Sequence, residues 1–91
     1  MKYTVKFTKQ FKKDFKKAEK QNRNLNILKE VVKMLADGEK LPPAYSDHAL
    51  VGNYQGKREC HLLPDWLLIY EIDNNELILC LVRTGSHSDL F

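Results

Sequence analysis

Several features that mark large protein classes are missing from this sequence. It has no apolar run long enough to cross a bilayer. Its first ten residues, MKYTVKFTKQ, lack the apolar region of a secretory signal. These absences argue against a membrane-spanning or a secreted protein, and we expect a cytoplasmic one.

Cysteine is scarce, and motifs for metals or cofactors are absent. Cys60 and Cys80 lie in apolar, strand-like runs, where free thiols are more common than a disulfide in a reducing compartment. Their separation fits no zinc motif, and the chain contains no HExxH pair, glycine-rich phosphate loop or G-x-S-x-G elbow. We therefore expect no cofactor and no metal.

Length and charge set the broad class. The 91 residues, 43% of them hydrophobic, are enough for one domain with one core, residues 1–91. The net charge of +3 is uneven, because residues 1–37 carry +7 and residues 38–91 carry −4. A basic first half favours a polyanionic partner, although lysines also serve simply to keep a surface helix soluble.

The first half reads as a strand followed by a helical hairpin. KYTVKF alternates as a strand does, and Thr8 is a good N-cap for a helix over residues 9–21. A second helix is predicted from the Asn24 cap to Gly38, with leucine and valine along one face. A short link between the two helices makes an αα-hairpin.

The second half reads as a loop followed by three strands. The predicted strands are KRECHL, WLLIYEI and ELILCLVR, and the tail TGSHSDLF is polar until its last two residues. The most apolar segment, CHLLPDWLLIY, nevertheless contains His61, Asp65 and Trp66. Pro64 cannot donate to a sheet ladder, so this segment is predicted as strand, turn, strand. His61 would then close one strand, and Asp65 would open the next.

A set of reactive side chains lies in or beside these loops: His48, His61, Asp65, Arg83 and His87. Internal cleavage of RNA needs a base for the 2′-hydroxyl, a cation for the phosphorus oxygens and an acid for the leaving 5′-oxygen. Histidine titrates near neutrality and can serve as either acid or base, and arginine matches a phosphate. Taken singly, these residues also have structural explanations, and two histidines with a carboxylate can hold iron or zinc.

Three segments of the sequence are similar to those of a known family: FTKQFKKDFKKAEKQ, LPPAYSDHALVGNYQGKRECHLLPDWLLIY and LVRTGSHSDLF. Together they resemble the YafQ-type toxins of bacterial type II toxin–antitoxin systems, within the RelE/ParE superfamily. The resemblance covers nearly the whole chain. It implies an α+β, microbial-RNase-like fold of the RelE/ParE type: a small antiparallel sheet with an N-terminal strand, and a two-helix hairpin packed on one face.

The resemblance also implies an activity. Such a toxin is a ribosome-dependent, metal-independent endoribonuclease that cuts translated mRNA in the decoding site and so inhibits translation. Its functional set falls here on His48, His61, Asp65, Trp66, Arg83, His87 and Phe91. The antitoxin that it implies is of the ribbon-helix-helix type, and operator DNA would be bound only through the toxin–antitoxin complex.

Roles can be assigned on this basis. We expect His87 as general acid, Asp65 assisted by His61 as base, and Arg83 as the stabiliser of the charged phosphorane. His48 would position the substrate or share in proton transfer, while Trp66 and Phe91 shape the pocket. Ribosomal RNA would face the lysines of the first helix: Lys9, Lys12, Lys13, Lys16, Lys17 and Lys20.

Two other functions stay open from the sequence. A ParE-like toxin that poisons DNA gyrase has this fold but does not need the histidine, aspartate and arginine set. A basic RNA-binding module without catalysis would depend on the lysines of the first helix and not on the histidines.

Overall fold

The computed structural model describes residues 1–91 and contains five strands and three α-helices. In chain order these are β1 (Thr4–Phe7), α1 (Lys9–Lys20), α2 (Leu25–Ala36), β2 (His48–Ala49), β3 (Arg58–Leu63), β4 (Trp66–Asp73), β5 (Ile78–Gly85) and α3 (His87–Leu90). Short 3₁₀ helices at Pro43–Tyr45 and Gly52–Tyr54 interrupt the long loop that separates α2 from β3. No helix is both long and apolar enough to span a membrane.

The five strands form one sheet in the order β1-β5-β4-β3-β2. Every neighbouring pair is antiparallel except β1 and β5, which run parallel with Thr4 opposite Ile78 and Phe7 opposite Leu81. The α+β prediction is confirmed, with the difference that one edge of the sheet is parallel.

Both predicted helix caps are present. The Thr8 hydroxyl accepts a hydrogen bond from the backbone N–H of Phe11 at 2.9 Å, which satisfies one of the free amides of the first turn of α1. The Asn24 side chain does the same for Asn26 at 3.1 Å. Beyond α2, Gly38 adopts a left-handed φ of 79°, a backbone conformation that glycine allows at little cost.

The core lies between the helical hairpin and one face of the sheet. The apolar stripes of the two helices meet alternate residues of β3, β4 and β5, and the largest of these side chains are fully buried. The principal members are Phe11, Leu28, Val31, Leu35, Trp66, Leu68, Tyr70 and Leu79. Each such side chain contributes about 1.5–3 kcal/mol on burial, so this layer holds the fold together.

The opposite face of the sheet carries a smaller apolar cluster. Leu67 and Ile69 of β4 point to this side, and Leu90 of α3 covers them. Tyr54 packs against the same cluster from the long loop. Because the cluster is small, much of this face remains available to polar side chains.

Three details of the second half differ from the prediction. His61 lies within β3, which continues to Leu63, and the two-residue turn consists of Pro64 and Asp65. The strand β2 and the helix α3 were not predicted. The S-x-x-D spacing at Ser86 and Asp89 was a usable signal for α3, since these two residues form a reciprocal capping box.

Candidate active site

Three histidines from separate segments meet on the face opposite α1 and α2. The ring centroids of His48 and His61 are 6.1 Å apart, and those of His61 and His87 are 5.6 Å apart. Strand pairing causes this, because His48 stands opposite Glu59 on β3 and His61 stands opposite Leu67 on β4. Leu67 in turn pairs with Gly85, two residues before His87.

Asp65 is bonded to His87. One carboxylate oxygen accepts hydrogen bonds from the Nδ1 of His87 at 3.0 Å and from its backbone N–H at 3.1 Å. The side-chain bond to His87 is the main reason that the pKa of Asp65 lies below its ordinary value. With Nδ1 held by Asp65, the Nε2 atom of His87 is left for a substrate. The expectation that Asp65 works with His61 is therefore corrected, since its partner is His87.

A buried carboxylate stands between the other two histidines. Glu59 Oε1 lies 3.3 Å from His48 Nε2 and 3.5 Å from His61 Nε2, and the Glu59 side chain is only 5% exposed. His48 Nδ1 lies 2.7 Å from the carbonyl oxygen of Ser46, so Nδ1 carries the proton and Nε2 faces Glu59. Glu59 Oε2 has no hydrogen-bond partner in the protein.

Glu59 was not singled out in the sequence. It precedes His61 by two residues within a strand, and residues at that spacing lie on the same face of a sheet. The E-C-H pattern in KRECHL was therefore a usable signal for this carboxylate.

Arg83 is held at the edge of this face by a carboxylate from α1. Its Nε and Nη2 atoms donate to the two oxygens of Asp14, both at 3.0 Å. The hydrogen bonds to Asp14 are the largest cause of the raised pKa of Arg83, and Tyr54 adds to it. Arg83 remains accessible, because a quarter of its side chain is exposed.

The aromatic residues of the predicted set have different environments. Phe91 is 64% exposed, with its ring 6.5 Å from that of His87 and 5.5 Å from that of Tyr54, a residue the sequence prediction missed. It presents a free surface on which a base can stack. Trp66 has no exposed surface, and the guanidinium of Arg23 lies 5.4 Å from its ring centre. Trp66 therefore supports the fold from the core, and its expected role in substrate binding stays a prediction.

The six α1 lysines lie on the other side of the sheet from the histidines. All of them are exposed, as expected for a helix that packs through its apolar stripe: Lys9, Lys12, Lys13, Lys16, Lys17 and Lys20. One of them reaches the histidine side, because Lys17 Nζ lies 3.0 Å from Asp89 Oδ1 in the α3 capping box.

Comparison with known proteins decides the family. The profile of a family described as "Bacterial toxin of type II toxin-antitoxin system, YafQ" matches residues 3–91. The chain belongs to this YafQ toxin family. The predicted resemblance is thus confirmed.

Individual YafQ relatives agree with this assignment. The chain is 38% identical to the mRNA interferase toxin YafQ of Escherichia coli K12 over 74 residues, which are 80% of this chain and 78% of the relative. It superposes on YafQ in a crystal structure of the E. coli DinJ–YafQ complex with a TM-score of 0.90, at 37% identity and with 98% of each chain covered. A crystal structure of a metal-bound toxin from Helicobacter pylori matches with a TM-score of 0.92 and 47% identity, covering 98% of this chain and 99% of that one.

The histidine and glutamate set also has the spacing of a possible metal site. One ligand atom from each of His48, Glu59 and His61 lies within 4.8 Å of the others, a spacing that suits a transition ion. The carboxylate of this set is Glu59, which the sequence analysis did not single out. Our expectation that RNA cleavage itself is metal-independent stays a prediction.

Proposed function

We propose that this YafQ-family toxin acts in the cytoplasm as a ribosome-dependent endoribonuclease that cuts translated mRNA in the decoding site. The observation that carries the proposal is the meeting of three imidazoles from distant parts of the chain, with ring centroids 5.6 and 6.1 Å apart. The E. coli relative that is named an mRNA interferase toxin supports the choice of substrate.

The reaction is a transphosphorylation within the RNA. The 2′-oxygen attacks the adjacent phosphorus while a base on the protein takes its proton. The bond from phosphorus to the 5′-oxygen then breaks, and an acid on the protein supplies a proton to that oxygen. The products are a 2′,3′-cyclic phosphate and a 5′-hydroxyl, so the nucleophile comes from the substrate itself.

The geometry favours His87 as the general acid. Asp65 holds Nδ1 of His87 at 3.0 Å and so fixes the orientation of the ring, as a carboxylate commonly does for a catalytic imidazole. A carboxylate whose pKa is lowered is a weak base. We therefore assign Asp65 to orient His87, and not to take the proton of the 2′-hydroxyl.

His61 then becomes the base. It lies between His48 and His87, and Glu59 stands 3.5 Å from its Nε2 atom, where a carboxylate stabilises the imidazolium that forms when the ring accepts a proton. His48 shares the same carboxylate oxygen at 3.3 Å and positions the substrate or shares in proton transfer.

Arg83 and Phe91 complete the site. Arg83 supplies positive charge for the phosphorane oxygens. The exposed ring of Phe91 offers a stacking surface beside His87, and such stacking is worth about 1–3 kcal/mol per base. The exposed lysines of α1 would attract ribosomal RNA over long range.

A cognate antitoxin is the second partner that we propose. The E. coli relative was crystallised as a DinJ–YafQ complex, which supports a cognate antitoxin for this chain. We expect a ribbon-helix-helix antitoxin, with operator DNA bound only through the complex. A ParE-like action on gyrase gains no support from the clustering, because that action does not need three imidazoles in contact.

Replacement of His87 tests the proposal. His87→Ala removes the proton donor and should lower the cleavage rate by about 10²–10⁴-fold. Toe-printing of a translated message on purified ribosomes measures cleavage, its dependence on translation and the codons that are cut.

His87→Gln is the matched variant, because it keeps a polar side chain of similar length and the backbone N–H that donates to Asp65, but its amide cannot transfer a proton. It should be as inactive as His87→Ala while binding ribosomes and melting like the wild type. A cleavage rate of His87→Gln equal to that of the wild type would refute the acid role of His87. Gyrase-dependent DNA breaks without mRNA cleavage would show that the protein is a ParE-like toxin and not an endoribonuclease.

A further inference from the structure

A buried acid interrupts the lysine-rich helix α1. Asp14 is flanked by exposed lysines in the sequence KKDFKK, yet only 8% of it is exposed. An aspartate is rarely buried unless its charge is paired. Its position on α1 therefore needs an explanation from the tertiary structure.

The Asp14 carboxylate is saturated with hydrogen bonds. Oδ2 accepts from Arg83 Nε at 3.0 Å and from the backbone N–H of Thr84 at 3.2 Å. Oδ1 accepts from Arg83 Nη2 at 3.0 Å and from Gln10 Nε2 at 3.1 Å. The two bonds to Arg83 are parallel and charge-assisted, the strongest arrangement available to a guanidinium.

An irregularity in the sheet brings Arg83 to α1. β1 ends at Phe7, which pairs with Leu81, so the rest of β5 has no strand on that side. On the other side the register with β4 shifts: Ile69 pairs with Arg83, but Tyr70 pairs with Leu81. The bulge and the open edge let the Arg83 side chain start from the face of Ile69 and reach the helix that follows β1.

We infer that Asp14 is a positioning residue for RNA cleavage, which holds the Arg83 guanidinium at the edge of the histidine site. This inference rests on the proposed function, in which Arg83 contacts the phosphate. A guanidinium has five N–H donors, and Asp14 occupies two of them. Tyr54 also lies against the guanidinium, and the donors that face neither Asp14 nor Tyr54 can meet phosphate oxygens while the group stays fixed.

The contact between Asp14 and Arg83 should raise the cleavage rate through preorganisation of the guanidinium. An unpaired arginine samples many rotamers, and ordering it in the transition state opposes catalysis. Asp14 is itself fixed by Thr84 and Gln10, so Arg83 is ordered before the substrate arrives. Loss of Asp14 should therefore slow the chemical step more than it weakens binding.

The test compares Asp14→Asn with Glu19→Gln, an exposed residue of the same helix whose replacement changes the net charge equally. Single-turnover cleavage on programmed ribosomes should be about tenfold slower for Asp14→Asn, an effect in the range of misplaced catalytic groups. The apparent affinity for the ribosome should stay within about twofold of that of Glu19→Gln.

A double variant separates positioning from general stability. Asp14→Asn should lower the rate in the wild type but not in an Arg83→Gln background, because the group that it positions is then absent. Asp14→Glu, which keeps the charge, should recover part of the rate. A thermal melting curve of each variant establishes that it is folded at the assay temperature.

Two results would overturn the inference. One is an Asp14→Asn rate equal to that of Glu19→Gln. The other is an equal loss of rate with and without Arg83, which would mean that Asp14 serves only the fold. A wild-type protein that does not cleave mRNA would overturn the proposed function as well, whereas either result in a cleaving protein overturns this inference alone.

Discussion

Two buried carboxylates, on opposite sides of the sheet, differ in how well they are satisfied. Asp14 accepts four hydrogen bonds, two of them from the guanidinium of Arg83. Glu59 shares one oxygen between His48 and His61 at 3.3 and 3.5 Å, and its other oxygen has no partner in the protein. Both are more than nine-tenths buried.

The bonding of Asp14 is complete within the protein, whereas Glu59 keeps one oxygen that can still accept a bond. A saturated carboxylate has nothing left to offer a substrate and fixes its partner's geometry. A buried oxygen without a partner costs free energy, about 1–3 kcal/mol or more for a charged group. Such a cost is typical of functional sites, where a proton, an ion or a substrate completes the bonding.

The largest expected effect is a contrast in stability between two isosteric variants. Asp14→Asn should lower the free energy of unfolding by about 2 kcal/mol, because it breaks a buried pair and places amide hydrogens against Arg83. Partial exposure of Arg83 keeps the loss below that of a fully buried pair. Glu59→Gln should leave the free energy within about 1 kcal/mol of the wild type, or raise it. Chemical denaturation of the three proteins measures both changes.

The comparison between the two carboxylates would fail if these results were reversed. A destabilised Glu59→Gln variant would mean that Glu59 is a structural partner of the histidines. An unchanged Asp14→Asn variant would mean that Arg83 and Thr84 find other partners, and it would weaken the case for positioning.

Metal binding gives the next largest effect. Zn²⁺ or Cu²⁺ should bind the set formed by His48, Glu59 and His61, and loss of the carboxylate ligand in Glu59→Gln should weaken binding by at least about tenfold. Asp14→Asn should bind the ion as the wild type does, because its carboxylate is not part of the set. Isothermal titration calorimetry provides the affinities, and equal affinity in all three proteins would place the ion elsewhere.

The smallest effect concerns a surface carboxylate that serves as a reference. The backbone N–H of Ser86, with Lys17 adding to it, lowers the pKa of Asp89 to about 2. A lowered folded-state pKa contributes stability above the ordinary value near 3.8, and this stability disappears as the pH falls towards 2.

Asp89→Asn should therefore melt at a lower temperature than the wild type at about pH 5, and the gap should close near pH 2. Calorimetric melting temperatures over this interval check the expectation. A gap that stays constant down to pH 2 would show that Asp89 contributes through packing and not through its charge.

Local patterns predicted most of the elements. The Thr8 and Asn24 caps, the two apolar helix stripes and the Pro64 turn are short-range features, and each is present in the structure. No helix was predicted in the tail, although the Ser86 and Asp89 spacing indicates a capping box. The helix α3 could therefore have been predicted from the local sequence.

Long-range contacts explain what was missed in the site. Trp66 was expected near the substrate because the family resemblance implies it, whereas alternation along β4 turns its side chain into the core. Asp65 was paired with His61, its nearer histidine in the sequence, whereas β4 and β5 bring it to His87. Asp14 and Arg83 are 69 positions apart, and no local pattern connects them.

By itself, the sequence determined the helices, the main strands, the uneven charge and the chemical types of the reactive side chains. These depend on residues within a few positions of one another, where hydrogen-bond caps and apolar spacing act directly. Only the tertiary structure decided which carboxylate pairs with which basic side chain: Asp65 pairs with His87, Glu59 with His48 and His61, and Asp14 with Arg83. Such pairings follow from strand register and from one bulge, which are set by the packing of the whole chain.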